Sequence, residues 1–372
     1  MRRAAALLVA LVVVPFAAAD SLSPRSHEVF FGSIRVQAPA RATHAYLFLN
    51  GRRVRGQRVR GRLVRFRTAA RPGRYDVRVR FERAGKLVDR RAALDVWLLR
   101  RSAQRARREH REDRALSARL ATLGQSFPGY SAFWVHDLST GRFARWNSDA
   151  SFPAASTVKL GVLLAALRRF GPDPERSAAW RETRDLAVWS SNVASNRLLL
   201  RLGGSEAAGA RIAQDALWRA GARSSTFTGN YRLGTAAGAA NGDTPRLLPL
   251  LTYRRTTAHD LGRVLFELHA AALGNRLSLR RTGLSPHEAR LGLALLLSSD
   301  PRGPNLGLFR PWTASRLPMA QKQGWTTYLR HTAAIVYTPG GPKIVVLLTY
   351  RPRLSPAEAA ALGKRVVDLL RL

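Results

Sequence analysis

The sequence contains no cysteine among its 372 residues. Disulfide bonds, thiol nucleophiles and cysteine-ligated metal sites are therefore excluded. Its eight histidines are scattered and show none of the spacings that bind zinc. No glycine-rich dinucleotide-binding motif is present either. We therefore expect neither a metal nor a cofactor, and any chemistry must come from the chain's own oxygen and nitrogen atoms.

Acidic residues are scarce, and the formal net charge is +38. A field of that size attracts polyanions such as nucleic acid, anionic lipid or an anionic cell-wall polymer. A coding bias towards arginine would produce the same charge without any function, so both explanations stay open.

Lysine is scarce as well, since five of the 62 basic residues are lysine and the others are arginine. Arginine does not lose its proton in proteins, whereas a buried lysine can, and a neutral lysine can activate a serine. Ser156 and Lys159 stand three residues apart at the start of an apolar run. That spacing predicts two side chains on one face at a helix N-terminus, where the positive end of the dipole lowers the pKa of an amine. The alternative is an ordinary helical turn with one solvated lysine.

The N-terminus has the pattern of an export signal. Two arginines precede an apolar run from Ala4 to Ala18, and small residues follow before Asp20. The run is short for a membrane span, and Pro15 interrupts it. We predict a signal peptide over residues 1–19 and a protein that is secreted or associated with the cell envelope. An uncleaved anchor is the alternative.

Residues 20–99 predict a small, basic β-sandwich-like module. Apolar and charged residues alternate from Tyr75 to Phe81, which is typical of a half-buried strand, and Asn50-Gly51 predicts a hairpin. Short strands at close spacing favour a sandwich. The segment 20–114 carries a net charge of about +17. Its outward faces either dock on an anionic cell-wall polymer or are simply solvated.

Residues 100–115 are dense in charges of both signs and predict a linker. Residues 116–372 then have the order strand pair, many helices, strand pair and closing helix, with the two strand pairs near 130–146 and 333–350. Such pairs can meet in one antiparallel sheet with helices on its faces. We therefore predict an α+β fold for this larger domain.

Three motifs in the larger domain resemble, in order, those of class A β-lactamases and penicillin-binding serine hydrolases. The similar stretches are Phe152–Lys159 for the nucleophile motif, Ser190–Asn192 for the second motif and Lys322–Gly324 for the third. The resemblance covers residues 116–372 and implies a β-lactamase/transpeptidase-like fold. Residues 20–115 lie outside it.

The resemblance implies an acyl-transfer mechanism in which Ser156 attacks an amide carbonyl and Lys159 takes part in accepting its proton. Ser190 would relay a proton towards the leaving nitrogen. The backbone N–H groups of Ser156 and Trp325 would form the oxyanion hole, because such donors must point to where negative charge develops.

The resemblance also implies a set of substrate-binding residues. Asn192 would hold the lysine base and the substrate's side-chain amide. Lys322 would supply positive charge for the substrate carboxylate and, as a like charge, would favour the neutral form of the base. Gly324, Trp325 and Thr326 would complete the substrate site. Taken one at a time, the last two motifs also fit a helix-capping cluster and a surface lysine before a turn.

Four departures from the family pattern bear on activity. Ser191 replaces an aspartate, Gln323 replaces a threonine, and the segment between the first two motifs is short, which would open the site. The region that carries the deacylating glutamate in class A enzymes, about 216–242, contains no aspartate or glutamate, and Asp243 is the nearest carboxylate. The sequence therefore supports acylation of Ser156 better than hydrolysis of the acyl-enzyme.

We predict an exported class A β-lactamase-type serine hydrolase that opens β-lactams through a Ser156 acyl-enzyme. The alternatives within the family are a slow-turnover penicillin-binding protein and a D-Ala-D-Ala peptidase acting on peptidoglycan. A different alternative is an inactive relative that binds anionic cell-wall polymer, although a relic would have little reason to keep lysine at both catalytic positions. We expect a monomer and no specific nucleic-acid binding.

Overall fold

The computed structural model describes residues 22–171, 176–231, 254–299, 303–314 and 317–372. The predicted signal peptide and Asp243 lie outside the described residues. Within them, no helix is both long enough and apolar enough to cross a membrane.

Eight strands of the described chain form the N-terminal module. They are β1 (Leu22–Ser23), β2 (Val29–Phe31), β3 (Ser33–Gln37), β4 (His44–Leu49), β5 (Arg52–Arg58), β6 (Leu63–Arg67), β7 (Gly73–Arg83) and β8 (Lys86–Leu99). A three-stranded sheet, β1-β3-β6, faces a five-stranded sheet, β2-β8-β7-β4-β5, across one hydrophobic core. Val77, Val79 and Phe81 are fully buried in this core, while Arg78 and Arg80 between them are exposed. The predicted β-sandwich is confirmed.

The rest of the described chain contains the larger domain. Two short 3₁₀ turns are Arg101–Gln104 and Gly303–Leu306. The strands are β9 (Arg111–Glu112), β10 (Tyr130–Asp137), β11 (Arg142–Trp146), β12 (Phe152–Pro153), β13 (Arg255–Thr256), β14 (Met319–Trp325), β15 (Leu329–Thr338) and β16 (Gly341–Tyr350). The helices are α1 (Arg114–Gln125), α2 (Lys159–Phe170), α3 (Trp180–Val188), α4 (Asn192–Gly203), α5 (Glu206–Arg219), α6 (Ala258–Ala272), α7 (Arg276–Thr282), α8 (Pro286–Leu297) and α9 (Pro356–Leu370).

Six of these strands form one sheet in the order β14-β15-β16-β10-β11-β9. β10 near the start of the domain pairs antiparallel with β16 near its end, with Tyr130 opposite Tyr350. Phe133 of β10 packs on one face with residues of α1 and α9, whereas Trp134 lies on the other face in the cluster that contains α2, α6 and α8. Helices therefore cover both faces of the sheet, and the predicted α+β fold is confirmed.

Part of the predicted charged linker belongs to this sheet. β9 pairs in parallel with β11 and forms one edge of the sheet. Backbone hydrogen bonds hold it there, from His110 N to Gly141 O at 3.1 Å and from Asp113 N to Phe143 O at 2.6 Å. The charge pattern does not reveal this strand, because it is held by main-chain groups and not by a buried side-chain face.

The module packs directly on the larger domain through β2 and β8. Val29, Phe31 and Leu99 are buried in the same hydrophobic cluster as the core residues of α8. Trp97 Nε1 also donates a hydrogen bond to Ser298 Oγ at 2.9 Å. Apolar contact across this junction makes the module a structural part of the larger domain's surface.

A buried carboxylate fixes this junction. Glu28 is 1% exposed and forms ion pairs with two residues of α8, His287 and, at 3.4 Å, Arg290. Burial lowers the pKa of Arg290. Charges that have left water in this way are costly unless they keep their partners.

Replacing Glu28 with alanine should therefore lower the free energy of unfolding by about 3 kcal/mol, because the partly buried Arg290 would lose this carboxylate. Urea unfolding followed by tryptophan fluorescence measures the change. Asp215→Ala is the matched control: its carboxylate is 54% exposed and lies 3.8 Å from its two arginine partners. The control should cost less than about 1 kcal/mol. Equal, small losses in both variants would contradict a structural role for Glu28.

Candidate active site

Ser156 lies in a tight turn between β12 and α2. Lys159 N donates to Ser156 O at 3.2 Å and Thr157 N donates to Ala154 O at 3.1 Å, which are i to i+3 hydrogen bonds. The expectation that both motif residues lie within one helix is therefore wrong in detail, since α2 begins only at Lys159. In a turn of the 3₁₀ type, residues three apart nearly eclipse each other. The serine and lysine therefore still lie on the same side of the chain.

His331 fixes the segment that leads into this turn. Its side chain is buried, Nε2 donates to Pro153 O at 2.7 Å, and Nδ1 accepts from Thr349 N at 3.2 Å. These two bonds use both ring nitrogens of a neutral imidazole, and burial lowers the pKa of His331 to about 4. β12 is thus held against the large sheet three residues before Ser156.

Lys159 is fully buried, and its amine is held by two acceptors. Nζ donates to Ser190 O at 2.6 Å and to Asn192 Oδ1 at 2.7 Å. Burial, then the charge of Lys322 and then that of Arg254 lower the pKa of Lys159 well below its usual 10.5. A neutral amine has two N–H donors and one lone pair. Since both donors are used here, the lone pair is the group that remains to accept a proton.

Lys322 extends from β14 into the same cluster. Its side chain is fully buried, and Nζ donates to Ser190 Oγ at 2.6 Å and to Gln323 O at 2.9 Å. Burial lowers the pKa of Lys322 to about 7. No aspartate or glutamate of the described residues forms an ion pair with Lys322 or Lys159. A substrate carboxylate would therefore find an uncompensated positive charge here.

Ser190 links the two lysines. Its carbonyl oxygen accepts from Lys159 while its hydroxyl oxygen accepts from Lys322. Its φ of +57° lies in the left-handed region, which is uncommon for a residue with a side chain and is found at functional sites. The hydroxyl hydrogen stays available to donate to a substrate atom.

The first turn of α4 explains the serine that replaces the family's aspartate. Ser191 is the N-cap residue, and its Oγ accepts from Ala194 N at 3.1 Å. Serine and aspartate are about equally good in this position. The replacement therefore preserves the start of α4, which places Asn192 beside the lysine amine.

β14 is the sheet-edge strand that approaches the nucleophile turn. Thr326 N donates to Leu329 O of β15 at 3.0 Å. Because successive N–H groups along a strand point to opposite sides, the Trp325 N–H faces away from β15. Gly324 permits the close approach, since a Cβ at this position would lie 3.0 Å from Ser156 N. Two backbone donors thus adjoin Ser156, as an oxyanion hole requires.

The structure does not bring every predicted substrate-binding residue to the lysines. Thr326 Oγ1 accepts from Tyr328 N at 3.1 Å within the turn that joins β14 to β15. The Trp325 side chain is 48% exposed, with the guanidinium of Arg330 at 5.2 Å from its ring centroid. These two side chains lie outside the hydrogen-bonded centre of the site. That centre consists of Lys159, Ser190, Asn192 and Lys322.

The residue that replaces the family's threonine is turned away from the substrate side. Gln323 is buried, and its Nε2 donates to Asn305 Oδ1 at 2.7 Å. Asn305 Nδ2 in turn donates to Trp189 O at 3.0 Å, immediately before Ser190. Gln323 therefore supports the second motif indirectly, through the contact of Asn305 with the residue before Ser190. Asn305 could not be found from sequence spacing, because 116 residues separate it from Trp189, which directly follows α3.

Tyr231 is a second residue that the motifs do not indicate. Its ring centroid lies 4.3 Å from Lys159 Nζ, and Asn196 of α4 holds its backbone through two hydrogen bonds of 2.7 and 2.8 Å. Contact with a ring face favours an ammonium by about 0.5–2 kcal/mol. Burial and two neighbouring cations oppose it and lower the pKa of Lys159. The ring is therefore part of the surroundings that bury the amine.

Arg254 covers Tyr231 from outside. Its guanidinium lies 4.0 Å from the centroid of the Tyr231 ring and 5.3 Å from that of Phe227. Burial raises the pKa of Tyr231 to about 12, so the phenol stays protonated. Its hydroxyl donates to Ala155 O at 3.3 Å, next to the nucleophile. Tyr231 thus connects the region about 216–242 to the catalytic turn without supplying a carboxylate.

The arrangement is suited to nucleophilic catalysis. A partly exposed serine adjoins two backbone donors, and a buried lysine with a lowered pKa shares its neighbourhood with a second serine and a second lysine. Among the described residues, no group of three or more histidine, aspartate or glutamate side chains could hold a metal ion. The fold and the site together define the class of protein as a β-lactamase-like serine hydrolase.

Comparison with known proteins agrees with this class. The model of the "Beta-lactamase enzyme family" matches residues 115–178 and 172–370, and the chain belongs to that family. A search of curated proteins finds no match.

Solved structures of similar fold cover 69% to 72% of this chain. PBP-A is 18% identical, with a TM-score of 0.55, over 72% of this chain and 99% of its own. A PBP-A variant described as an acyl-enzyme complex with penicillin G is 18% identical, with a TM-score of 0.53, over 71% and 98%. A variant class A β-lactamase of the last common ancestor of Gram-negative bacteria is 20% identical, with a TM-score of 0.52, over 69% and 98%.

The two lysines predict a bell-shaped pH dependence for acylation of the free enzyme. The rate should rise with pH as Lys159 loses its proton, because only the neutral amine is a base. It should fall as Lys322, with a pKa of about 7, loses the charge that attracts a carboxylate. The second-order rate constant for labelling by a fluorescent penicillin, measured from about pH 5 to about pH 10, gives the profile.

The variant Lys322→Arg tests which lysine produces which limb of the pH profile. Arginine keeps its charge over this range, so the alkaline limb should disappear while the acidic limb stays. Lys343→Arg, on the β15–β16 hairpin, is the matched control and should leave the profile unchanged. An alkaline limb that persists in Lys322→Arg would contradict the assignment to Lys322.

Proposed function

We propose that this protein is an exported serine hydrolase that opens β-lactam amides through an acyl-enzyme on Ser156. The observation that carries the proposal is the state of Lys159, which is buried, has a lowered pKa, and has both amine donors bound to Ser190 O and Asn192 Oδ1. An amine in this state is a base whose lone pair remains for the serine proton. The family membership and the similar fold support the same reaction class.

Every proton that moves in the proposed acylation comes from a group in the site and is taken up by a group in the site or by the leaving nitrogen. The Ser156 hydroxyl gives its proton to Lys159 Nζ while its oxygen bonds to the carbonyl carbon, and the oxyanion lies against the N–H groups of Ser156 and Trp325. The C–N bond then breaks, and the nitrogen takes the proton of the Ser190 hydroxyl. Ser190 recovers a proton from Lys322, which lies 2.6 Å away. The net charge of the two lysines is unchanged.

We propose that hydrolysis of the acyl-enzyme is slow. The region about 216–242 contains no carboxylate, and its Tyr231 covers the lysine base with an aromatic ring. No aspartate or glutamate of the described residues forms a hydrogen bond with Ser156 or Lys159. In practice the protein would behave as a slow-turnover penicillin-binding protein, with peptidoglycan peptide as the second substrate class. The penicillin G adduct described for the PBP-A variant is consistent with such behaviour in this fold.

Intact-mass spectrometry with benzylpenicillin, sampled from seconds to hours, tests this proposal. A mass adduct should appear and persist, and it should be absent from Ser156→Ala. In Lys159→Arg it should form at least about 100-fold more slowly, because arginine is not a base. An adduct that clears while penicilloate accumulates would overturn slow turnover and make the protein an ordinary β-lactamase. No adduct on the native protein would overturn the acyl-enzyme itself and favour an inactive, polymer-binding relative.

Export and retention at the cell wall complete the proposal. The pattern of residues 1–19 supports export, and the charge of the N-terminal module supports retention on an anionic wall polymer. A salt-sensitive association of the secreted protein with isolated cell walls is the corresponding expectation.

A further inference from the structure

A cavity of about 540 Å³ opens where the module meets the larger domain. It lies between β3, β6 and the 3₁₀ turn that follows β8, with Pro339 of the β15–β16 hairpin at its border. Its basic residues come from β3, from β6 and from the start of the 3₁₀ turn, and no aspartate or glutamate lines it. These residues, which we call the arginine cavity, are Arg35, Arg65, Arg67, Arg100 and Arg101.

The sheet geometry places like charges directly opposite each other in this cavity. Arg35 of β3 pairs with Arg65 of β6 in register, and Arg67 pairs with Ser33. The intervening residue Ile34 is fully buried in the module core, so the arginines are on the outward face. Like charges opposite each other in an antiparallel pair destabilise the sheet. Such an arrangement becomes favourable when an anion lies between them.

The five arginines have no carboxylate partners in the described part of the chain, whereas some other arginines do. Arg263 pairs with Glu109, Arg108 pairs with Glu267 at 2.9 Å, and within the module Arg91 pairs with Asp89 at 2.9 Å. Among the described residues, no ion pair involves a member of the arginine cavity. Arginines without a carboxylate partner in the described structure also occur elsewhere, such as Arg55 and Arg58 of β5, but the five of the arginine cavity converge on one concavity.

We propose that the arginine cavity binds a polymer with a phosphodiester backbone and no bases, that is, a polyol-phosphate chain. A guanidinium donates two parallel hydrogen bonds to a phosphate, and a tetrahedral phosphate has enough oxygens to engage two guanidiniums at once, as the Arg35–Arg65 pair requires. The volume is within the range of ligand-binding cavities. Phe31, the aromatic residue that lines it, is 8% exposed and offers no stacking platform for nucleobases.

Occupation of the cavity would connect the two parts of the chain. Arg101 begins the 3₁₀ turn and Arg100 precedes it. In this turn Ala103 is buried with the core of the larger domain, and Gln104 Nε2 donates to Phe31 O at 3.1 Å. A ligand that bridges this turn and the β3–β6 sheet binds only the folded, docked module. It should therefore raise the unfolding temperature of the protein. The site rests on the proposed retention at an anionic wall polymer and is independent of acylation at Ser156.

Binding of short-chain inorganic polyphosphate to the full-length secreted protein, measured by calorimetry, tests the cavity. The double variant Arg35→Gln/Arg65→Gln should bind at least about tenfold more weakly than the native protein, which corresponds to the loss of one charge-assisted contact. The matched control is Arg55→Gln/Arg58→Gln, two exposed arginines on β5 in the other sheet. It removes the same charge and should weaken binding less than about twofold. Equal losses in both double variants would mean diffuse electrostatic attraction and would overturn the site.

Competition identifies the source of the phosphate. A glycerol-phosphate polymer should displace polyphosphate from the native protein, and its affinity should fall in the cavity variant as that of polyphosphate does. Binding of single-stranded DNA, of polyglutamate and of vesicles containing phosphatidylglycerol should be equal in the cavity variant and the β5 control. A selective loss of DNA or vesicle binding in the cavity variant would overturn the base-free polymer as the ligand. Unchanged labelling by penicillin in both variants shows that the fold is intact.

Discussion

Two lysine amines buried side by side without a carboxylate are the constraint on which the candidate site depends. Burial disfavours the charged form of each amine, and the charge of Lys322 disfavours that of Lys159 further. The structure resolves the conflict by lowering the pKa of both amines, that of Lys159 well below its usual 10.5 and that of Lys322 to about 7. The acceptors around them are neutral oxygens, two of which belong to Ser190. A carboxylate in their place would hold both lysines charged and would remove the base.

The fold supplies the rigidity that this arrangement requires. Ala155 and Ser190 both have left-handed backbone angles, each of which costs about 1–3 kcal/mol. Packing offsets this cost on each side: His331 fixes the strand before the nucleophile, and the Gln323–Asn305 contact braces the second motif. These side chains do not contact the reacting groups, yet they determine where those groups lie.

Much of the fold and the centre of the site could be predicted from the sequence, because alternation, turn signals and motif order are local patterns. The alternation from Tyr75 to Phe81, for example, correctly gives the buried face of β7. Tyr231 and Asn305 could not be predicted, since their contacts with the motifs cross long stretches of chain and follow no periodicity. The contact of the module with α8 through Glu28 could not be predicted from the sequence either. A pattern gives the buried face of a strand, but it does not give the neighbour that covers it.

The most direct test of the account is the titration of Lys159 itself. The chain has five lysines, so protein labelled with ¹³C at the lysine ε-carbon should give five resolvable signals, which single Lys→Arg substitutions assign. We predict that the Lys159 signal titrates well below the usual 10.5. A Lys159 signal that stays in its charged form up to about pH 10 would contradict the account, because the serine would then have no base.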